Sequence, residues 1–259
     1  MKFASLGSGS NGNSTLVKTE STCIMVDCGF SLKKSLNKLN CLGISGDQLD
    51  AILLTHEHSD HWAGVMPLAT RYDIPVFLTV GSRRAIECQS SGLFRIIENY
   101  DKFSIGDLCI TPVPIPHDAE EPVQYVFTNN TVCFGILTDL GHFTKYIVDQ
   151  YKLCDGLLLE ANYDKGMLRS GPYPSSLKRR IDSKWGHLAN DQAFEFLKTI
   201  DHQRIQYLLF GHISEKNNSI EKITESMDKT WFDKSVIHFA NQKMYSFSII
   251  KVGACILLI

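Results

Sequence analysis

The run Leu53-Leu54-Thr55-His56-Glu57-His58-Ser59-Asp60-His61 sets four potential metal ligands within six residues, directly after an apolar segment. The chain has only nine histidines, so three of them in this spacing is a strong signal. A lone histidine is ordinarily a packed residue with its hydrogen bonds satisfied. Four polar, partly ionisable groups cannot be buried side by side without a compensating partner, and a cation supplies one. Imidazole nitrogens and carboxylate oxygens suit zinc, manganese or iron. The cluster contains no thiolate and the chain has no Cys-x-x-Cys pair, which argues against a closed structural zinc site.

This motif resembles the signature of the metallo-β-lactamase superfamily. The resemblance implies an α/β protein, a four-layer αβ/βα sandwich that binds metal at the edge of its sheets. The superfamily's other motifs find counterparts in order down the chain. Met25-Val26-Asp27-Cys28-Gly29 resembles the early strand-end aspartate, Ile115-Pro116-His117-Asp118 the third motif, Leu137-Thr138-Asp139-Leu140-Gly141 the fourth and Phe210-Gly211-His212-Ile213-Ser214 the last. Each follows an apolar run. By resemblance, His56, His58 and His117 hold one metal, Asp60, His61 and His212 hold a second, and Asp139 bridges them together with a water. The implied cofactors are two divalent ions per chain, Zn²⁺ or Mn²⁺. Asp27 is a supporting residue that hydrogen-bonds a ligand or the ligand loop. Two cations so placed lower the pKa of a shared water, making hydroxide available near pH 7.

Gly186-His187-Leu188-Ala189-Asn190 lies in a loop before a predicted helix. In nuclease branches of the superfamily a Gly-His here contacts the scissile phosphate or protonates the leaving oxygen. This makes His187, with Asp60, a candidate catalytic residue; helix capping or packing is the competing reading. His142 is expected to start the next helix or to support Asp139, and His202 and His238 to be ordinary surface or edge residues.

The fold does not decide the substrate. Residues 165–187 hold six basic side chains (Lys165, Arg169, Lys178, Arg179, Arg180, Lys184) against one acid, Asp182. Tyr163, Tyr173 and Trp185 are interleaved with or adjoin them. Such a mixture grips phosphates and stacks on bases, and Lys178, Arg179 and Arg180 are the candidate substrate contacts. A solvated helix face is the plainer alternative. The finer resemblance is to the bacterial YycJ/WalJ group, carried by Phe3–Ser14, Leu159–Asp164, Gly171–Pro174, Leu177–Ile181 and Glu215–Asn218. It implies a DNA exonuclease acting from 5′ ends, with nucleic acid as partner. The chain leaves no room for the inserted cap, the tRNA-gripping arm or the C-terminal helical domain of other branches. Two further readings stay open: a small-molecule, cyclic-phosphate phosphodiesterase, and a non-catalytic regulatory module that retained the metal pocket.

Strands are expected at Lys2–Leu6, Thr15–Lys18, Cys23–Val26, Ala51–Leu54, Val76–Thr79, Cys109–Ile115, Gln124–Thr128, Val132–Thr138, Gly156–Glu160, Ile205–Phe210 and Lys243–Ile249. Helices are expected at Leu32–Leu39, Ala63–Tyr72, Ser82–Ser90, Phe143–Tyr151, Pro174–Ile181, Asp191–Thr199 and Ser219–Asp228. Gly7-Ser8-Gly9-Ser10-Asn11-Gly12 matches a dinucleotide fingerprint, but a strand pattern rather than a helix follows. The loop therefore reads as a Gly/Ser/Asn turn between strands, with a loop whose backbone amides approach the site as the alternative, and no nucleotide cofactor is expected.

The 259 residues carry a net charge of −2, which excludes coating nucleic acid by bulk charge but not a local basic patch. No linker divides the chain, so one domain over residues 1–259 is expected, with an apolar tail at 251–259. No apolar run is long enough to span a bilayer. With no export signal, the eight cysteines read as free, mostly buried thiols of a cytoplasmic protein.

Overall fold

A computed structural model describes residues 1–86, 92–200, 204–227, 237–240 and 248–250. Cys88, His202, Cys255, the 251–259 tail and most of the expected strand at 243–249 lie outside the described residues.

The first half of the chain supplies β1 (Lys2–Gly7), β2 (Ser14–Lys18), β3 (Cys23–Val26), β4 (Ala51–Leu53), β5 (Val76–Leu78) and β6 (Phe94–Ile96). Next come β7 (Phe103–Ile105), β8 (Leu108–Pro114), β9 (Val123–Thr128), β10 (Cys133–Leu137), β11 (Gly156–Glu160), β12 (Tyr207–Gly211), β13 (Ile237–Phe239) and β14 (Ser248–Ile249). They form two seven-stranded sheets, ordered β14-β1-β2-β3-β4-β5-β6 and β13-β12-β11-β10-β9-β8-β7. Hairpins β1–β2–β3 and β7–β8–β9–β10 are antiparallel, whereas β3–β4–β5–β6 and β10–β11–β12–β13 run parallel.

The inner faces of the sheets pack on each other: Phe3, Val17, Ile24 and Leu53 meet Tyr125, Phe127, Phe134 and Leu158. Helices cover both outer faces. The first sheet is covered by α1 (Leu32–Cys41) and, after the short α2 (Ser59–Trp62), by α3 (Val65–Tyr72); α4 (Val80–Ala85) follows β5. Leu39, Val65 and Leu68 pack on Met25, Ile52 and Val76. On the second sheet lie α5 (Lys145–Tyr151), α8 (Asn190–Thr199) and α9 (Ile220–Ser226), where Ile147, Phe196 and Ile223 pack on Leu137, Leu157 and Phe210. Between them in sequence come α6 (Lys165–Ser170) and α7 (Ser175–Ile181). Strands covered on both faces need continuous apolar runs, and the parallel strands have them. This is the expected four-layer αβ/βα sandwich.

The differences from expectation are local. The expected helix at Ala63–Tyr72 is broken at Gly64, where a Cβ would lie 1.9 Å from the Phe30 carbonyl oxygen, and a separate turn, α2, carries Asp60 and His61. β6, β7 and β13, each of three residues, are too short to show a period. In α6 the sequence Lys165-Gly166-Met167 hides a helix that starts because Asp164 caps the Met167 amide. His142 does not start a helix: α5 begins at Lys145, capped by Thr144, and His142 Nδ1 lies 2.9 Å from the Lys184 carbonyl. The glycine-rich loop leads into β2, antiparallel to β1, so the helix a dinucleotide site requires is not there.

Candidate metal centre

The donors collect at one end of the sandwich because each follows the last residue of a strand. Asp27 follows β3, His56 to His61 follow β4, His117 follows β8, Asp139 follows β10 and His212 follows β12. Ligands of open α/β sheets gather in this way beyond the carboxyl ends of parallel strands. Asp27, Asp139 and His212 have positive φ, at 57°, 60° and 52°. Left-handed backbone at non-glycine residues is costly and tends to be kept at functional sites.

Ligand atoms of His56, His58 and His117 lie within 4.8 Å of one another, as do those of His56, His61 and Asp139. A third group, to the same limit, joins His212 and Asp139 to Glu160 and His187. His56 Nε2 stands 3.1 Å from His58 Nδ1, and His61 Nε2 is 3.6 Å from both Asp60 Oδ2 and Asp139 Oδ2. Asp60 belongs to none of the three compact groups. It sits at the wall, where Asn13 Nδ2 donates to its Oδ2 at 3.2 Å. Asp139 Oδ2 and His212 Nε2 are buried without a hydrogen-bond partner. Buried polar atoms are rarely left so, and a carboxylate oxygen and an imidazole nitrogen are atoms that a divalent cation satisfies. The donor set thus fits a metal on its own chemistry.

The electrostatics agree. Burial holds the His56 imidazole well below its usual range, and His117 is lowered by the same cause. Both are neutral and ready to bind. For His61 burial acts downward but is outweighed by Asp139 and Asp27, which hold it up at about 9. His212 likewise is raised despite burial, by Asp139 and Glu160. Without a cation, then, protons on these two rings balance the buried carboxylates.

Around the donors runs a layer of supports. Asp27 Oδ2 accepts from His61 Nδ1 at 2.8 Å and from the Thr55 hydroxyl at 2.8 Å, while its Oδ1 accepts from the Thr55 amide. Glu160, fully buried, accepts from His212 Nδ1 at 2.8 Å and His187 Nδ1 at 2.9 Å. Asn162 Nδ2 donates to the His212 carbonyl, and Ser8 Oγ accepts from the His212 amide. Asn13, Thr55 and Asn162 were not singled out in the sequence. Glu160 carries a readable signal: it ends an apolar strand just as the candidate donors Asp139 and His212 follow theirs.

A cavity of about 360 Å³ opens onto the donors, lined among others by His58, Asp60, His117, Asp139, His187 and His212. Of the three candidate substrate contacts only Arg180 lines it, paired with Asp118. Lys178 donates to the Arg169 carbonyl, and Arg179 is exposed.

Residues 22–213 match the family described as the beta-lactamase superfamily domain. The chain belongs to that superfamily. It is 36% identical over 223 residues to a protein of Streptococcus pneumoniae serotype 2 named exodeoxyribonuclease WalJ, covering 84% of this chain and 83% of that one. Exodeoxyribonuclease YycJ of Bacillus anthracis is 32% identical over 242 residues, covering 90% of each chain. Among solved structures, the metallo-beta-lactamase fold protein YhfI of Bacillus subtilis superposes with a TM-score of 0.74 at 16% identity, covering 95% of this chain and 98% of that one. That likeness is one of fold. No described helix is long and apolar enough to cross a membrane.

Proposed function

We propose that this superfamily member is a metal-dependent exodeoxyribonuclease that degrades DNA from 5′ ends. Similarity over most of the chain to proteins named exodeoxyribonuclease carries this reading. The donor cluster and its unpartnered atoms support the chemistry it needs.

In this reading His56, His58 and His117 would hold one divalent ion and Asp60, His61 and His212 a second, with the Asp139 carboxylate shared between the two sets. Zn²⁺ or Mn²⁺ suits the donors. Bound ions would supply Lewis acidity, neutralising phosphate charge and activating water near neutral pH. Asp27 accepts the His61 Nδ1 proton, leaving Nε2 for the metal. Glu160 does the same for His212. It also takes the Nδ1 side of His187, which leaves Nε2 of that ring to hold a proton and deliver it to the leaving oxygen. Arg180, at the cavity wall, meets the phosphate backbone. We read the chain as a single domain acting in the reducing cytoplasm, where thiols such as Cys23, Cys28 and Cys154 stay reduced.

The test is cleavage of a 5′-labelled duplex and of a 3′-labelled one, with added Mn²⁺ or Zn²⁺, beside a chromogenic phosphodiester. Early release of mononucleotide from the 5′ label is expected. Turnover of the chromogenic diester with intact DNA would favour a small-molecule phosphodiesterase, and no turnover of either would favour a regulatory module.

A further inference from the structure

A second cavity, of about 350 Å³, lies between the glycine-rich loop and the chain that follows His212. Its lining shares Ser10, Tyr173 and Ser214 with the cavity over the donors. The second cavity therefore adjoins the first and extends the site, with these three residues at the junction. The extension is tied to the site by backbone: Ser8, in its lining, accepts from the His212 amide at 2.7 Å, and Ile213, also in its lining, is the next residue.

Its walls have a mixed chemistry. Ile213 and Phe239 are apolar and backed by the core, while Ile220 keeps 48% of its surface exposed at the cavity. Ser8, Ser10, Asn11 and Asn218 add hydroxyl and amide groups, and Lys216 and Glu215 add an exposed cation and an exposed carboxylate that offset each other. The size is at the lower end of small-ligand sites, enough for one base and its sugar and too little for a duplex.

We infer that this extension seats one nucleoside of the substrate, the unit bonded to the phosphate held at the donors. The inference rests on the nuclease reading. A nucleobase presents a flat apolar face and a hydrogen-bonding edge, and the lining offers partners for both. The polymer puts a nucleoside on each side of the cleaved phosphate, and at a 5′ end the terminal one is joined to it through its 3′ oxygen; that is the unit placed beyond the junction. A base seated there has left its stack, which is easiest at a strand end. The extension therefore favours terminal over internal attack.

The base's contribution is measured by calorimetric titration of the metal-loaded protein. The probes are deoxyadenosine 3′-monophosphate and 1,2-dideoxyribose 3-phosphate, the same molecule without its base. Contact with one base contributes roughly 5- to 100-fold in affinity, so the nucleotide is expected to bind at least fivefold more tightly. Ile220→Asn and Tyr173→Ala are each expected to cut that ratio at least threefold. Ile220 is exposed, so its variant keeps the test open if Tyr173→Ala fails to fold. A ratio below fivefold in the unaltered protein, or one unchanged by Ile220→Asn, overturns the inference. Cleavage of labelled DNA is scored separately. A protein that cuts DNA but shows no base preference keeps the nuclease reading and loses the nucleoside site. One that prefers the nucleotide but cuts no DNA does the reverse.

Discussion

Nδ1 of His212 lies 2.8 Å from Oε1 of Glu160, and that same oxygen stands 2.9 Å from Nδ1 of His187. One carboxylate thus orients two rings with different tasks. Burial alone would push the Glu160 carboxyl up, but His187 and His212 outweigh it and hold it at about 2. It is ionised at any working pH and keeps both Nδ1 atoms as donors. In the proposed reading this leaves the two Nε2 atoms for metal and substrate.

Glu160→Gln keeps the side chain's size and removes its charge. Loss of such a support typically costs 10- to 100-fold in metal affinity or activity. A fall of about that size is expected in metal titration or in the DNA cleavage rate. Values within twofold of the unaltered protein in both would remove Glu160 from the site.

The His56 to His61 cluster is legible from residue types and spacing alone, whereas His117, Asp139 and His212 are legible only through resemblance to the superfamily's motifs, each at the end of an apolar run. Glu160 likewise ends an apolar run, at the end of β11. Unlike Asp139, it has no counterpart among the superfamily motifs that the sequence matches, and a lone carboxylate after Leu159 is a weak signal on its own. Ser8 and Asn13 could not be read at all. Their contacts, with His212 and Asp60, bridge 204 and 47 positions, and a Gly/Ser/Asn loop looks like any turn. The Lys178-Arg179-Arg180 run shows the opposite failure. Its charge was plain, but helix geometry in α7 sends only one of the three to the cavity.

Asp60→Ala is expected to leave one metal per chain where the unaltered protein holds two, with hydrolysis nearly lost and the fold intact. His56, His58 and His117 are untouched by the change. Elemental analysis after gel filtration gives the count; two metals retained would mean Asp60 is not a ligand.

The salt dependence of DNA binding separates the three basic residues. Each phosphate contact contributes about 0.9 to the slope of log affinity against log salt on duplex DNA. Arg180→Ala should flatten the slope by up to that amount. Lys178→Ala and Arg179→Ala should change it much less, since neither side chain lines the cavity. Equal effects from all three would point to a diffuse basic face.

Thiol chemistry should report burial. Burial pushes the Cys23 and Cys28 thiols up to about 11, so almost none is thiolate at pH 8. Cys41 is exposed. Brief alkylation of the native protein at pH 8, mapped by mass spectrometry, should label Cys41 and spare Cys23 and Cys28. The protection should fall as pH rises toward 11. Labelling of all three at similar rates would contradict the packing of β3 against α1.

Gly29 offers the sharpest test of how the second donor set is held. A Cβ there would lie 1.7 Å from the Asp60 carbonyl oxygen and 2.8 Å from the Asn13 amide nitrogen, both of them backbone. Three segments meet at this point. Gly29 N donates to the Asn13 carbonyl at 3.0 Å, Asn13 N to the Asp60 carbonyl at 2.7 Å, and Cys28 N to the His61 carbonyl at 2.8 Å. Gly29→Ala must therefore push α2 away from the strand end that carries Asp27. Overpacking of this kind costs about 1–3 kcal/mol, which for a chain of this size lowers Tm by roughly 2–12 °C. The displacement acts on Asp60 and His61, while His56 and His58 lie nearer the β4 end. Metal should consequently be lost from one site before the other, giving close to one ion per chain. Gly92→Ala is the control, because no atom of the described residues lies within 4 Å of a Cβ there; it should shift stability by no more than about 0.5 kcal/mol. Thermal unfolding and metal analysis of the two variants side by side decide the matter. A Gly29→Ala protein with normal Tm and two metals would mean the contact at Asp60 is relieved without moving the site.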